Sequence, residues 1–332
     1  MELRQNHSLL GHNTFGMDVR ASWFFEYSSE DELLEALPRL ERPLLNIGEG
    51  SNLLFCGDFR GTVLHCAIRG AEIESTDAET ALVRVGAGSN WDSFVEWCIS
   101  HGLYDAENLS GIPGEAGAAA VQNIGAYGSE ACEIIRQVRT VDAESGEIRV
   151  FDAAECGYSY RDSIFKRAEN KRYIITSVVF ALSREWKPNL KYKALASEFE
   201  GIEPSAEEVR QAVLVMREGK LPDPKVLGNA GSFFVNPLVP ASRIGTLSFL
   251  YPDMPRFDAG EGMVKLSAAW LIDKAGWKGF QMGRAGVYEH QPLVLVNLGG
   301  ATGQEILNLA NSIINDVYDK FGVELSMEVN RI

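Results

Sequence analysis

Three glycine-rich strings limit what this chain can fold into more than any other feature. They are Gly48-Glu-Gly-Ser-Asn52, Gly111-Ile-Pro-Gly114 and Gln122-Asn-Ile-Gly-Ala-Tyr-Gly128. Glycine lets a backbone approach a phosphate closely, and successive N–H groups form an anion nest without side-chain charge. The first string follows an apolar strand, Pro43-Leu-Leu-Asn-Ile47, and Gly86-Ala-Gly88 follows a second, Ala81–Val85. Neither has the third glycine of a Rossmann turn, and the first runs on into Leu53-Leu-Phe55, which is strand-like and not helical. Each G-x-G alone reads as a tight turn. The strings together read as a cradle for a dinucleotide.

Such a cradle matters because the chain is acidic. A net charge of −15 disfavours nucleic acid as a partner. A small anionic ligand stays open if backbone N–H groups or local cations hold it, which singles out Arg161 with Lys166, Lys220 with Lys225, and Lys265. At 332 residues the chain exceeds a usual single core, so two or three domains are expected. It has no apolar run of about 18 residues and no apolar leader, which reads as a cytoplasmic protein without a membrane partner. Cys56, Cys66, Cys98, Cys132 and Cys156 are scattered and form no C-x-x-C pair, so they read as buried free thiols. His7, His12, His65, His101 and His290 show no metal spacing, and no metal is expected. His101, beside Gly102, reads as a helix C-terminal residue.

Local signals mark the elements. Ser29-Glu-Asp-Glu32 opens a short helix that Pro38 stops. Trp91–Ile99 is an amphipathic helix, Leu109–Glu130 a long loop with at most short helices, and several short strands run to about Leu182. Ser205-Ala-Glu-Glu208 caps a helix with Val209, Val213 and Met216 on one face. Leu221-Pro-Asp-Pro224 breaks the chain and marks a domain boundary. Thr302-Gly-Gln-Glu305 caps a last helix carrying Ile306, Leu309, Ile313 and Val317, stopped by Gly322. Beyond it Val323, Leu325, Met327 and Val329 alternate with Glu324, Ser326 and Glu328, the pattern of a strand with one packed face. Gly228-Asn-Ala-Gly-Ser232-Phe-Phe-Val-Asn-Pro237 reads as a mobile loop bearing one serine.

Taken in order, Asn13-Thr-Phe-Gly16, the three glycine strings, Tyr160-Arg-Asp-Ser-Ile-Phe-Lys166, Lys220-Leu-Pro-Asp-Pro224, the Gly228–Pro237 decapeptide and Glu328 cover nearly the whole chain. This series resembles the UDP-N-acetylenolpyruvoylglucosamine reductases, the subtype with a mobile tyrosine loop. The resemblance implies an α+β chain: a two-lobed FAD-binding domain of the vanillyl-alcohol-oxidase type plus a separate substrate-binding domain. The lobes are expected at 1–67 and 68–220, with the flavin-binding region at about 16–184. The substrate domain is expected at 221–322, with 323–332 as a strand returning to the active site. Glu115 departs from the pattern, since a neutral residue is expected after Gly114.

The activity implied is that of a cytoplasmic FAD flavoprotein and oxidoreductase of peptidoglycan precursor synthesis, and so of cell shape and division. NADPH reduces noncovalently bound FAD, and flavin N5 gives a hydride to the enolpyruvyl ether of UDP-N-acetylglucosamine, yielding UDP-N-acetylmuramate. The implied FAD contacts are Gly48, Glu49, Gly50, Ser51 and Asn52, then Gly111, Ile112, Pro113 and Gly114, then Gln122, Asn123, Gly125, Ala126, Tyr127 and Gly128. Ser232 is the implied proton donor, a poor acid that needs a neighbour such as Lys220. Glu328 is the second catalytic position, expected to carry a proton beside the substrate carboxylate. Arg161 is placed to clamp that carboxylate. Tyr160, Lys220, Asn236, Lys265 and Gln291 are implied substrate contacts. Tyr192 joins them as the residue of the mobile loop, although a packed loop tyrosine would look the same. Two other readings remain: an unrelated oxidase or dehydrogenase on the same flavin fold, and a non-catalytic binder of flavin or nucleotide sugar. The serine decapeptide with Glu328 argues against the first, and Ser232, Arg161 and Glu328 together argue against the second. The expected partners are small molecules, with no obligate protein partner.

Overall fold

The structure, a computed structural model, describes residues 2–332. They divide into two compact units. One comprises the stretch up to His7, Ala21–Glu49 and Phe59–Arg217; the other comprises Ser8–Arg20, Gly50–Asp58 and Glu218–Ile332. Two N-terminal segments thus pack with the C-terminal part of the chain.

The first unit holds two sheets. In the smaller, Phe59–Cys66 lies parallel to and between Arg20–Tyr27 and Leu44–Ile47, with Leu3–Ser8 outermost. Its central strand is buried continuously from Gly61 to Cys66, as a parallel strand covered on both faces must be. The larger sheet is antiparallel, in the order Ile148–Asp152, Ile135–Asp142, Tyr173–Ser183, Thr80–Gly86, Ala71–Thr76. Tyr173–Ser183 is an eleven-residue strand, longer than the short strands the sequence suggests, because pairing on both sides sustains it. Helix Trp91–Ser100 buries Trp91, Phe94, Val95, Cys98 and Ile99, and Trp91 and Phe94 meet Phe180 at ring distances of 5.6 and 5.1 Å. His101 caps this helix and stacks on Trp97. Helix Ala206–Glu218 opens on the expected box, in which Ser205 and Glu208 exchange backbone N–H bonds. Arg210 on that helix binds both oxygens of Asp92.

The second unit has a four-stranded sheet in the order Gly228–Ser232, Val294–Asn297, Ala285–Val287, Gln281–Met282. Helix Gly303–Phe321 buries Ile306, Leu309, Ala310, Ile313 and Val317, starts on the Thr302–Glu305 capping box and ends at Gly322 in the left-handed region. A three-stranded sheet orders Leu238–Pro240, Met263–Leu266 and Arg256–Asp258. No described helix is long and apolar enough to cross a membrane. Of the cysteines, Cys66, Cys98 and Cys156 are buried, but Cys56 and Cys132 are partly exposed.

Two local expectations are corrected. Gly228–Ser232 is not a mobile loop but a strand, because its backbone pairs with Val294–Asn297; a register shift between Asn229 and Ser232 accommodates Gly231 at φ +66°. The alternation after Gly322 does bury Val323, Leu325 and Val329, yet regular pairing is confined to a Phe234–Met327 bridge and to Asn330–Arg331, which lies parallel to Leu53–Leu54. A two-residue partner can support no longer strand.

Candidate active site

In the first unit the Gly111–Gly114 and Gln122–Gly128 strings are held by side chains. Gly111 N–H donates to Asp92 at 2.6 Å, and Gly111 C=O accepts from Arg217 at 3.0 Å. Burial alone would raise the Asp92 carboxyl, but hydrogen bonds from Arg210 and Gly111 outweigh it and hold the group below its ordinary value. Gly114 C=O accepts from Trp91 N–H, which fixes the far end of this string to the start of the Trp91–Ser100 helix. Within Leu109–Glu130 the alanines form one short helix, Ala116–Gln122, which ends where Asn123 turns to φ +45°.

Asn123 is fully buried. Its amide donates to Glu130 Oε2 and to Ser159 C=O, both at 2.9 Å, and its oxygen accepts from Cys132 N–H. The following turn is gripped by Arg161, whose guanidinium donates to the carbonyls of Asn123 and Gly125. A Cβ on Gly125 would lie 2.6 Å from Arg161 Nη1, so glycine is required there. Arg161 itself has φ +56°, and its carbonyl accepts from Lys166 Nζ at 2.8 Å. The cation pair noted in the sequence is therefore one local structure. Tyr160 lies under the same guanidinium, 5.2 Å from ring centre to Cζ.

Glu115 does not cap the Ala116–Gln122 helix with its side chain. The carboxylate is buried and lies 3.4 Å from His65 Nε2, while His65 Nδ1 meets Glu26 at 2.9 Å. The hydrogen bond to Glu115, working against burial and aided by Glu26, raises the His65 pKa. Glu115 also explains Gly48, since a Cβ there would fall 2.7 Å from Glu115 Oε2. The departure from the family pattern is thus compensated by a histidine. Glu49 accepts from Asn90 Nδ2 at 3.0 Å.

In the second unit backbone bonds gather the pieces. Ser232 pairs with Val294, and Phe233 N–H donates to Leu293 C=O at 2.7 Å. Glu328 N–H donates to Phe233 C=O at 2.8 Å, and Val235 N–H to Ser326 C=O at 3.1 Å. Ser232 and Glu328, distant in sequence, therefore lie on neighbouring chain segments. Asn52 binds the Glu328 segment, donating to Glu328 C=O at 3.3 Å and accepting from Asn330 N–H at 3.0 Å. Gly50, at φ +69°, brings this segment against His12, where a Cβ would sit 2.1 Å from the carbonyl. Asn236 Oδ1 accepts from Ala268 N–H at 2.9 Å, Lys265 pairs across from Leu238, and Gln291 closes the turn before Val294. Lys220 is exposed.

Sequence reading missed the residues that hold the strings: Asp92, Arg217, His65 and Asn108. Each is one polar residue far along the chain from its partner, and no local pattern marks it. Donor chemistry supports a bound dinucleotide. The turns at Gly111, Gly114, Asn123, Tyr127 and Gly128 all have positive φ and present neutral main-chain groups, which is how an acidic protein can take a pyrophosphate. These residues fit FAD.

Comparison with known proteins agrees. Residues 23–152 match a family model described as an FAD binding domain, and residues 223–332 match the C-terminal domain of UDP-N-acetylenolpyruvoylglucosamine reductase. A reductase of that name from Bacteroides fragilis is 48% identical, covering 99% of this chain and 100% of its own. One from Porphyromonas gingivalis is 44% identical over the full length of both chains. The crystal structure of the reductase from Thermus caldophilus superposes with a TM-score of 0.68 at 23% identity, covering 99% of this chain and 98% of the other, and so shares the fold. On this identity over this length, the chain belongs to the UDP-N-acetylenolpyruvoylglucosamine reductase family.

Proposed function

We propose that this chain reduces UDP-N-acetylglucosamine enolpyruvate to UDP-N-acetylmuramate with NADPH, as a cytoplasmic FAD enzyme of peptidoglycan precursor synthesis. The observation that carries the chemical reading is that Ser232 and Glu328 lie on neighbouring segments joined by the Glu328-to-Phe233 and Val235-to-Ser326 backbone bonds, with Asn52 bonded to the Glu328 carbonyl. When bound, FAD supplies the hydride transfer from NADPH to the enolpyruvyl double bond. That transfer leaves negative charge on the adjacent carbon and its carboxylate. Ser232 gives a proton to this carbon from its hydroxyl, held on a paired strand. Glu328 is the second proposed catalytic group, assigned to the enolate-like oxygen. Arg161 faces the carboxylate, its guanidinium oriented by the carbonyls of the flavin string. Tyr160, Tyr192, Lys220, Asn236, Lys265 and Gln291 bind the rest of the nucleotide sugar. Both ligands are anionic nucleotides that must each bring a reacting carbon to flavin N5, so they use one site in turn and no protein partner is required.

The test is anaerobic. NADPH should bleach the yellow protein, and the enolpyruvyl nucleotide should restore the colour with formation of UDP-N-acetylmuramate. Bleaching of the yellow protein by an alcohol or hydroxy acid, with no reoxidation by the enolpyruvyl nucleotide, would overturn the reading. Acid precipitation should leave the flavin in the supernatant, as noncovalent FAD requires.

A further inference from the structure

Three polar contacts within the first unit connect the flavin string to the segment that carries Tyr192. Asn108 is buried, 2% exposed, and its amide nitrogen donates to two carbonyls at once: Tyr127 at 2.7 Å and Asn189 at 2.8 Å. Tyr127 belongs to the flavin string, and Asn189 precedes Tyr192 in the chain. Asn189 answers in the other direction, donating to Gly128 C=O at 3.3 Å and to Ser129 Oγ at 2.9 Å. Its oxygen also accepts from Lys191 N–H, which turns the chain toward Tyr192. The Tyr192 ring then meets the Tyr127 ring edge-on, centroids 5.2 Å apart. A Cβ on Gly128 would sit 3.4 Å from both Lys191 Cβ and Tyr192 N, so the two segments run side by side. Beside these bonds is a polar cavity of about 220 Å³, lined by Asp105, Glu107, Asn108, Ser129, Lys187 and Asn189. Leu190 and Trp186 pack against the buried cluster of Leu195, Val209 and Val213, while Tyr192 is 39% exposed and Lys191 and Lys193 are exposed, so the tip of the segment relies on these polar bonds.

We propose that Asn108 is a positioning residue for the reductase reaction, fastening the Tyr192 segment to the flavin string so that the placement of Tyr192 toward the nucleotide sugar follows the seating of Tyr127. Two carbonyls that would otherwise compete for water are joined by a single buried amide, and no neighbouring residue type could do this. Aspartate lacks the donors, serine lacks the reach and the second N–H, and alanine leaves both carbonyls without this donor. Tyr127, at φ +47°, sits in a backbone conformation that surrounding bonds must hold. Asn108 supplies one of them, and the same bond reports the position of Tyr127 to Asn189. The proposal rests on the reading of Tyr192 as a substrate contact, and the experiment separates the two.

The test uses the FAD-loaded enzyme. In Asn108→Ala, amide hydrogen exchange across residues 187–193 should quicken by tenfold or more, with exchange in Tyr173–Ser183 unchanged. Unchanged exchange in the segment would overturn the fastening. Steady-state kinetics should show KM for the enolpyruvyl nucleotide raised about tenfold, with the rate of flavin reduction by NADPH nearly constant. Tyr192→Ala should raise that KM too, and adding it to Asn108→Ala should cost little more. Additive losses would mean that Asn108 acts through general stability and would overturn its role through Tyr192. If Tyr192→Ala alone leaves KM untouched, the substrate reading of Tyr192 fails, and the role of Asn108 in the reaction falls with it, whereas the exchange result still decides the fastening. Should Asn108→Ala fold poorly, Asn189→Ala breaks the Gly128 and Ser129 bonds from a part-exposed position and should give the same exchange and KM pattern at smaller size.

Discussion

The flavin strings and the Ser232–Glu328 pair are built on opposite plans. In the first unit, turns at positive φ are held by buried polar side chains: Asn123 with its three bonds, Arg161 on two carbonyls, Asn108 on two more. In the second unit, the segments that carry the proposed reacting side chains are joined mainly by backbone bonds, through Ser232–Val294 pairing and the Glu328-to-Phe233 bond, with one side-chain bond from Asn52 to Glu328 C=O. A turn with no regular ladder has to satisfy its carbonyls with side chains, because a buried unpaired group costs more than a hydrogen bond returns. A strand satisfies its backbone by pairing and leaves its side chains to chemistry. Structure and chemistry should therefore be separable by mutation in the second unit and inseparable in the first.

The sharpest way to break that contrast is Ser232→Ala. Its backbone bonds do not involve the hydroxyl, so melting temperature and flavin content should stay at wild type. Reduction of the enolpyruvyl group should fall by roughly 10²–10⁴ while flavin reduction by NADPH persists. Glu328→Gln and Glu328→Ala should follow in that order, the alanine variant losing about 10²–10³ in the sugar half-reaction. Stopped-flow traces in which both half-reactions slow together would show that the serine is structural after all.

Asn123→Ala should behave in the opposite way. It strands Cys132 N–H, removes a donor from Ser159 C=O and from Glu130, and leaves alanine at φ +45°. A loss of about 3 kcal/mol of stability and release of flavin should come together in denaturant titration and absorbance. A variant that keeps its flavin at wild-type stability would erase the distinction between the two units.

The smallest effect concerns pH. Burial, with added repulsion from Asp105 and Glu207, raises the Glu107 carboxyl from 4.5 to about 7, and its Oε1 has no hydrogen-bond partner. The folded state therefore holds a proton that the unfolded chain releases. This contribution is full below about pH 4.5 and is lost as pH climbs through 7, so stability falls over that window. Glu107→Gln, which cannot ionise, should flatten the melting-temperature profile between pH 5 and 8. An equally steep profile in the variant would place the proton elsewhere.

Much of this molecule was legible before folding because the signals are local. A capping box acts across one turn, so the Ser205 and Thr302 helices were readable, and an apolar stripe such as Ile306, Leu309, Ile313 and Val317 declares its buried face. The ordered strings from Asn13 to Glu328 sufficed for the family. Tertiary structure decided the rest. It made a strand of Gly228–Ser232, since pairing with Val294–Asn297 overrode two glycines that by themselves signal a loop. It shortened the last strand to what Leu53–Leu54 could pair. It also settled Glu115 against His65, and Asn108 between Tyr127 and Asn189. Those contacts join residues far apart in the chain, and a buried polar group is defined by the partner that folding brings to it. No window of sequence contains both halves of such a pair, which is why composition and spacing carried the scaffold and only the folded chain revealed what holds the site in place.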